Sequence, residues 1–428
     1  MKKSLPIAAL LFFVFIIYFI TKPPSILWID SGTMIAAAAT LGIPNPPGFP
    51  FYIMASHFFG LLPIGTWLTR LELFTIIFSL GLLFFVFQIV LMIIKNLAPY
   101  SSSEVLQSRT KSRSFQTNSS RQDGYQTVTR QARTIIPALS ASFGTIALAF
   151  SYEYWSQSQN TEAFIFTYFF VTLFAYLAIK FHIEKPSNRF RLFLLIAFLY
   201  GLAIGANPTV LAMAPGILYI MYLNRRFFNL KKLLTLGFIS LSLAILVYSY
   251  LPIRASTYPF MNWGNPQTVE LFIGHLRGAG LNIYEPEAGS INGFTGSPVI
   301  FAQSLSNFFV MLLFQFTPIL LPFIALGMIY VIRFNKQLFF FLLSVPITNV
   351  IYAGIYYSGN QESWFILSWI FLSIFIGIGF YFVTTKITLS KYKLIALFSL
   401  SLLPFLVYFY PLNRSTHYYS SDYANNLY

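Results

Sequence analysis

Residues 5–52 read LPIAALLFFVFIIYFITKPPSILWIDSGTMIAAAATLGIPNPPGFPFY, and two features of this stretch decide the fold. The part from 5 to 21 carries no charge and is long enough for a helix to cross most of a hydrocarbon layer about 30 Å thick. Asp30 follows this apolar part, and an alanine run and a PNPPG turn come next. We therefore expect a membrane helix, then a short interfacial helix, then a rigid turn back towards the bilayer.

The composition of the whole chain extends this reading to all 428 residues. Hydrophobic residues make up 57% of the chain and charged residues only 9%, against about 25% charged residues in soluble domains. In lipid only helices and closed barrels satisfy the backbone, and the recurring apolar runs are too long for barrel strands. The sequence predicts an all-α polytopic membrane protein. The absence of cysteine excludes disulfides and thiol chemistry.

The apolar runs and the basic residues together predict the topology. With a cytoplasmic amino terminus, 22 of the 27 basic residues fall on cytoplasmic segments, as the positive-inside rule requires. The net charge of +15 is then explained by membrane orientation and contact with anionic lipid, and nucleic acid is not expected as a partner. About eleven crossings are predicted, at 5–21, 66–95, 134–152, 160–180, 191–206, 209–223, 233–251, 305–332, 337–357, 364–384 and 394–411.

One transmembrane domain, 1–411, is predicted, followed by an extracytoplasmic tail at 412–428. Within the domain, the Ser/Gln/Arg-rich segment 96–133 reads as a flexible cytoplasmic loop, and 252–304 reads as a long extracytoplasmic loop. The first apolar segment has no clear cleavage site, so we expect it to be retained as a helix. The protein is accordingly expected to be a multi-pass plasma (inner) membrane protein.

The outer face collects nine of the twelve acidic residues, and Asp30 is the most suggestive of them. Its side chain fits two roles: a cap for the helix that begins near Thr33, or a general base at the aqueous edge of a cavity. Glu162 also stands at a helix start, where the helix dipole stabilises a carboxylate or where the group contacts substrate.

The long outer loop supplies the basic side of a site. Arg254 and Arg277 carry donor forks suited to phosphate, so they predict a clamp for a lipid-linked phosphate; pairing with nearby glutamates is the alternative. Trp263 and His275 lie between them. No HxxxH or DxD pattern accompanies His275, so a metal site is not indicated.

Three motifs lie in order along the chain. The first joins DSGT at 30–33, LG at 41–42 and NPPGFPF at 45–51, and the second joins Trp155, Ser156 and TEAF at 161–164. The third comprises Leu251, Pro252, Trp263, Gly264, Thr268, His275 and Arg277. In order and spacing they resemble the GT-C membrane glycosyltransferases, specifically the protein O-mannosyltransferase-like group.

The resemblance implies a GT-C fold and an enzyme that moves a sugar, mannose in this group, from a polyprenyl-phosphate carrier to an acceptor hydroxyl on the extracytoplasmic face. Asp30 would be the general base, and Arg254 and Arg277 would bind the carrier phosphate. Further substrate-binding candidates are Glu162, Trp263, His275, Asn45 and Thr33. The acceptor would be a protein or a glycan. Single displacement with inversion is our hypothesis, and no cofactor or metal is required.

Three departures from the family pattern accompany the resemblance. Thr33 stands where the family usually has Glu, Asn45 stands where it has His, and the soluble domain of longer relatives does not follow Tyr428. Two other classes therefore stay open: a non-catalytic scaffold that binds polyprenyl lipid, and a lipid or solute transporter. The transporter reading predicts charged or broken helices at mid-membrane and internal repeats, and the sequence shows neither.

Overall fold

The computed structural model describes residues 5–27, 30–110, 135–278, 293–294, 297–357, 361–387, 389–418 and 420–422. These residues are almost entirely helical, which confirms the predicted all-α class. The exceptions within them are one antiparallel pair of two-residue strands, β1 (Gly293–Phe294) and β2 (Tyr356–Tyr357), and a single parallel bridge between Ile43 and Asn262.

Seventeen α-helices follow the chain through the described residues. The first nine are α1 (Leu5–Thr21), α2 (Ser31–Thr40), α3 (Pro50–Gly60), α4 (Trp67–Thr110), α5 (Ile135–Ala149), α6 (Tyr152–Ser158), α7 (Ala163–Glu184), α8 (Arg189–Ile204) and α9 (Ala214–Leu223). The remainder are α10 (Leu230–Tyr248), α11 (Tyr250–Ala255), α12 (Val269–Leu276), α13 (Pro298–Phe334), α14 (Lys336–Ile355), α15 (Ile366–Lys386), α16 (Lys391–Ser399) and α17 (Leu403–Leu412). Short 3₁₀ turns precede α9, α15 and α17.

The predicted count of eleven crossings is not confirmed. Among the described residues, seven helical segments are long and apolar enough to cross a membrane, or eight if α5 and α6, bent by 72°, form one broken span. The segments at 7–21 and 208–223 are apolar but shorter. The seven are Trp67–Leu97, Ala163–Glu184, Leu230–Ala255, Pro298–Phe334, Lys336–Ile355, Glu362–Lys386 and Lys391–Leu412.

α15 forms the centre of the helix packing, and nearly all of its residues are buried. It contacts α13 closely because glycines face each backbone: a Cβ on Gly327 would stand 2.0 Å from the carbonyl oxygen of Phe375, and one on Gly379 would stand 2.0 Å from that of Phe323. Small residues allow membrane helices to approach in this way, since van der Waals packing rather than the hydrophobic effect drives their association in lipid.

Two predicted loops differ from the structure in their extent. α4 continues as a helix to Thr110, so the loop predicted at 96–133 is helical in its first part, and 111–134 lie outside the described residues. The loop predicted at 252–304 contains α12 and the start of α13, and 279–292 and 295–296 lie outside the described residues. Polar residues can extend a membrane helix into water because its backbone is already hydrogen-bonded.

Candidate active site

Asp30 lies at the start of α2, but its carboxylate does not cap this helix. Asp30 occupies the position before the first helical residue, and its backbone oxygen accepts hydrogen bonds from the Met34 amide (3.0 Å) and the Thr33 hydroxyl (2.7 Å). Its side chain makes no capping bond to the helix. The capping alternative therefore does not describe this carboxylate, which points to another partner.

That partner is Asn45. The Asn45 side chain, which is 9% exposed, lies within hydrogen-bonding reach of the half-buried carboxylate of Asp30. Burial raises the pKa of Asp30, and the bond from Asn45 opposes this by stabilising the charged form. A carboxylate with a raised pKa is a stronger base than an exposed one, which is the property that general-base catalysis at neutral pH requires.

The turn after α2 brings Asn45 to Asp30. The Ile43 amide donates to the Met261 carbonyl (2.8 Å), and the Trp263 amide donates to the Ile43 carbonyl (3.0 Å). The Pro46–Pro47 peptide bond is cis. The first and third sequence motifs are thus joined backbone to backbone, which the order of motifs along the chain alone does not reveal.

His275 lies where these two motifs meet. It is 3% exposed, and its ring stands between two glycine turns: a Cβ on Gly48 would lie 3.0 Å from Nε2, and one on Gly264 would lie 3.0 Å from Nδ1. Both glycines have positive φ, 89° and 66°, which other residues rarely adopt. Burial lowers the pKa of His275 to about 4, so the ring is neutral at physiological pH.

Glu162 completes an acidic cluster with Asp30. The Asn160 amide donates to Glu162 Oε1 (2.6 Å), and the Ser31 hydroxyl donates to Asn160 Oδ1, so a short chain of bonds links Glu162 to the start of α2. Glu162 immediately precedes the span Ala163–Glu184. Burial, and then the negative charge of Asp30, raise the pKa of Glu162 to about 8. The structure therefore brings Asp30, Asn45 and Glu162 together.

The first of the two arginines predicted to bind phosphate, Arg254, binds the far end of α2. Arg254 Nε donates to the Leu41 carbonyl (2.6 Å) and Nη2 donates to the Thr40 carbonyl (2.9 Å), at the carboxyl end of α2. Ten residues at 1.5 Å per residue separate this end from Asp30 by about 15 Å. Arg277 is exposed just after α12. Their phosphate role stays a prediction.

Comparison with protein-family models gives a match over slightly less than half of the chain. Residues 30–230 match the family model described as the protein O-mannosyl-transferase TMEM260 N-terminal domain. The predicted family resemblance is confirmed. The matched segment begins at Asp30 and includes Asn45 and Glu162, the three side chains that the structure groups.

A comparison of folds agrees with the TMEM260 match. The crystal structure of ArnT from Cupriavidus metallidurans bound to undecaprenyl phosphate superposes with a TM-score of 0.55 at 13% sequence identity. The alignment covers 94% of this chain and 62% of the ArnT chain, so this protein spans less than two thirds of the length of that relative. At this identity the likeness establishes the fold, and the predicted GT-C fold is confirmed.

One cation near the cluster of Asp30, Asn45 and Glu162 was not predicted from the sequence as a site residue. Arg414, in the tail after α17, donates from Nη2 to the Ser156 hydroxyl (2.7 Å) and from Nη1 to the Ser156 carbonyl (3.2 Å) on α6. It also lies near enough to Glu162 for its charge to lower the pKa of that carboxyl. The sequence held one signal for it: Arg414 is one of only five basic residues assigned to the outer face.

Two cavities elsewhere in the described residues do not belong to this cluster. One, of about 520 Å³, lies among α13, α14 and α15 and has a wholly apolar lining that offers no acid or base. The other, of about 320 Å³, includes Lys95 and Glu184. Glu184 is at the opposite end of α7 from Glu162, about 33 Å away for 22 residues.

The side chains near Asp30 do not form a metal site in the described ranges. No group of three or more His, Asp or Glu residues there has the spacing to hold an ion. That the reaction requires no metal stays a prediction. The cluster itself offers carboxyl, amide and guanidinium groups, which suit proton transfer and phosphate binding.

Proposed function

We propose that this protein transfers a sugar from a polyprenyl-phosphate carrier to an acceptor hydroxyl, with Asp30 as the general base. One observation carries the proposal: the Asp30 carboxylate leaves the helix start uncapped and is held instead by Asn45 beside Glu162. The match to the TMEM260 O-mannosyl-transferase domain supports the reaction class. The fold shared with an ArnT that was crystallised with undecaprenyl phosphate supports the carrier.

The chemistry is a single displacement. Asp30 accepts the proton of the acceptor hydroxyl while the oxygen of that hydroxyl forms a bond to the anomeric carbon of the sugar. The bond from that carbon to the carrier phosphate breaks, and the phosphate leaves with the electron pair, so the anomeric configuration inverts. Asn45 fixes the carboxylate, and partial burial keeps Asp30 basic enough for the transfer.

Glu162 has a different task from Asp30. With a pKa of about 8 it carries a proton at neutral pH, so it can donate a hydrogen bond to a sugar or acceptor oxygen. Two nearby carboxyls whose environments push their pKa values apart divide acid and base roles in many enzymes. We assign proton acceptance to Asp30 and substrate binding to Glu162.

The other candidate residues are proposed to contact substrate on the basis of where they lie. Arg277 and Arg254 are our proposed contacts for the carrier phosphate, although Arg254 would have to exchange its bonds to Thr40 and Leu41 for phosphate. Trp263 and His275 would shape the wall beside the Asn45 turn. The Thr33 hydroxyl now bonds the Asp30 carbonyl, and a substrate role would require it to rotate.

The sugar, the acceptor and the membrane face complete the proposal. We propose mannose and a protein or glycan acceptor, in keeping with the TMEM260 domain. The basic residues between the apolar segments favour a cytoplasmic amino terminus, which places Asp30 on the extracytoplasmic side of the membrane. No metal is part of the proposed step, because phosphate is itself a good leaving group.

The direct test uses purified protein in lipid vesicles with labelled polyprenyl-phosphate sugars, mannose among them. We expect label on an acceptor with the wild type and none with Asp30→Asn, because general-base catalysis contributes about 10²–10⁴-fold in rate. Asp422→Asn changes an exposed carboxylate and should match the wild type.

Three results would change the proposal. Full transfer by Asp30→Asn would remove Asp30 from the base role. A wild type that binds the carrier without transferring label would be a scaffold. A wild type that moves intact labelled carrier across the vesicle membrane, without transfer, would be a transporter.

A further inference from the structure

The tail after α17 is fastened to the segment that leads to Asp30. The Arg414 amide donates to the Thr21 carbonyl (2.9 Å), and the Ser25 hydroxyl donates to the His417 carbonyl (3.0 Å). A further bond joins the Ser420 hydroxyl to the Ile26 carbonyl. Residues 414–418 and Ser420 therefore lie beside residues 21–26, which follow the end of α1 and lead towards Asp30.

This arrangement holds the Arg414 side chain in a fixed place. Its guanidinium makes two bonds to Ser156, whose residue lies on α6, 258 positions earlier in the chain. The Ser156 hydroxyl and carbonyl are neutral groups, so they orient the fork without neutralising its charge. A guanidinium has five N–H donors, and the bonds to Ser156 occupy two of them.

The carboxyls of Glu153 and Glu162 lie within electrostatic reach of Arg414, yet among the described residues neither comes within 4.0 Å of its guanidinium. Within the described part of the chain, the ion pairs closer than 4.0 Å are Lys22–Glu72 and Lys180–Glu184, and Arg414 belongs to neither. Arg414 and Asp30 act on Glu162 in opposite senses, the first lowering and the second raising its pKa. Glu162 therefore lies within electrostatic reach of both the proposed base and this cation.

The neighbours of the two side chains favour Arg414 over Arg254 as a partner of the reacting atoms. Reacting atoms stand about 3–3.5 Å apart in a productive complex, and the leaving phosphate lies only one oxygen beyond the anomeric carbon. Arg254 binds the far end of α2, about 15 Å from Asp30. Arg414 and Asp30 both act on the charge of Glu162, which lies just before α7, and Arg414 binds Ser156 on α6.

We propose that the Arg414 guanidinium binds the phosphate of the lipid-linked donor and neutralises the charge that this phosphate gains when it leaves. The inference rests on the proposed function, and it adds a residue that no sequence motif of the chain includes. Arginine suits this task because its planar fork binds two phosphate oxygens at once. Ser156, which belongs to the second sequence motif, positions the fork.

The test separates carrier binding from transfer. Purified full-length protein in nanodiscs is titrated with labelled undecaprenyl phosphate that carries no sugar, and the dissociation constant is measured at two salt concentrations. We expect Arg414→Ala to raise the dissociation constant about tenfold or more, since charge-assisted bonds to phosphate are strong. Arg414→Lys should recover part of the affinity, and Arg191→Ala, an exposed arginine at the start of α8, should bind as the wild type does.

Ser156→Ala provides a second test in case Arg414→Ala does not fold. It keeps the charge and removes one of the bonds that orient the fork, so a smaller rise in the dissociation constant is expected, with a normal melting temperature. Wild-type affinity in Arg414→Ala, or in both Arg414→Lys and Ser156→Ala if Arg414→Ala does not fold, would overturn the inference. A wild type that neither binds the carrier nor transfers sugar would instead refute the proposed function.

Discussion

Asp30 and Arg254 lie at opposite ends of the same ten-residue helix, α2, which is about 15 Å long. Asp30 precedes its first residue, and the Arg254 fork binds carbonyls at its last turn. Helix ends leave carbonyl groups unsatisfied, and Arg254 supplies donors to two of them. In this structure Arg254 therefore stabilises the element that carries the proposed base.

This relationship predicts different effects for Arg254 and Arg277, the two arginines of the loop predicted at 252–304. Arg254→Ala should lower the free energy of unfolding by about 1–3 kcal/mol, because it removes hydrogen bonds from carbonyls at a helix end. Arg277→Ala, at an exposed position, should change stability little and should raise the apparent KM for the lipid donor. Thermal unfolding in detergent and donor titrations measure the two quantities. Unchanged melting with a raised KM in Arg254→Ala would show instead that this residue binds phosphate.

Asn45 controls the pH range in which Asp30 is ionised. Its bond stabilises the Asp30 carboxylate, so Asn45→Ala should raise the pKa of Asp30 further and move the acid limb of the rate profile to higher pH. Transfer rates measured from pH 5 to 9 test this. Asn229→Ala removes another asparagine side-chain bond, the cap of α10, and should leave the acid limb in place. An acid limb at the wild-type pH in Asn45→Ala would contradict the assignment.

Glu162 should make the stability of the protein depend on pH. The folded pKa is about 8 and the ordinary value is 4.5. Below about pH 4.5 the carboxyl is protonated in both states; above it the unfolded chain releases the proton that the folded chain keeps. The contribution of Glu162 to stability is thus greatest below pH 4.5 and is lost as the pH rises through 8.

Melting temperatures across this pH window test that expectation. Glu162→Gln should remove part of the decline seen in the wild type between pH 4.5 and 8. Glu184→Gln alters a half-exposed carboxyl at the other end of α7 and should keep the decline. Identical curves for the wild type and Glu162→Gln would mean that Glu162 ionises at its ordinary pKa.

The sequence predicted the helical framework for a physical reason, and it singled out Asp30 and Asn45 without predicting that they meet. Long apolar runs can only be helices in lipid, and the residues at 30–51 lie close along the chain, so a turn suffices to bring Asn45 to Asp30. Glu162 was singled out separately, because it belongs to the second motif. These relationships depend on local structure and on the hydrophobic pattern.

The remaining relationships depend on packing between distant segments. Nothing in the local sequence of Arg254 shows that its fork meets the carbonyl groups of Thr40 and Leu41, more than 200 residues earlier. Arg414 and Ser156 are likewise far apart along the chain, at a separation of 258 positions. The count of eleven crossings was not confirmed, because apolar composition alone does not show whether a short helix such as α9 spans the membrane.

Lys22 and Glu72 form a buried ion pair that should contribute strongly to the position of the segment between α1 and α2. Lys22 Nζ lies 2.6 Å from Glu72 Oε2, and the Glu72 side chain is 1% exposed. The pair ties the segment after α1, which leads to Asp30, to the first turns of α4. Glu72→Ala should lower the free energy of unfolding by about 3–5 kcal/mol, because removal of one partner leaves the Lys22 charge poorly solvated and unpaired.

The exposed pair Lys180–Glu184, with 4.0 Å between its charged atoms, is the matched control for this prediction. Glu184→Ala should cost less than about 1 kcal/mol, as surface pairs usually do. Both variants can be compared by thermal unfolding in the same detergent, and Glu72→Ala should also reduce transfer because Asp30 loses its anchored approach segment. Equal melting temperatures in the two variants would show that the Lys22–Glu72 pair does not hold this segment in place.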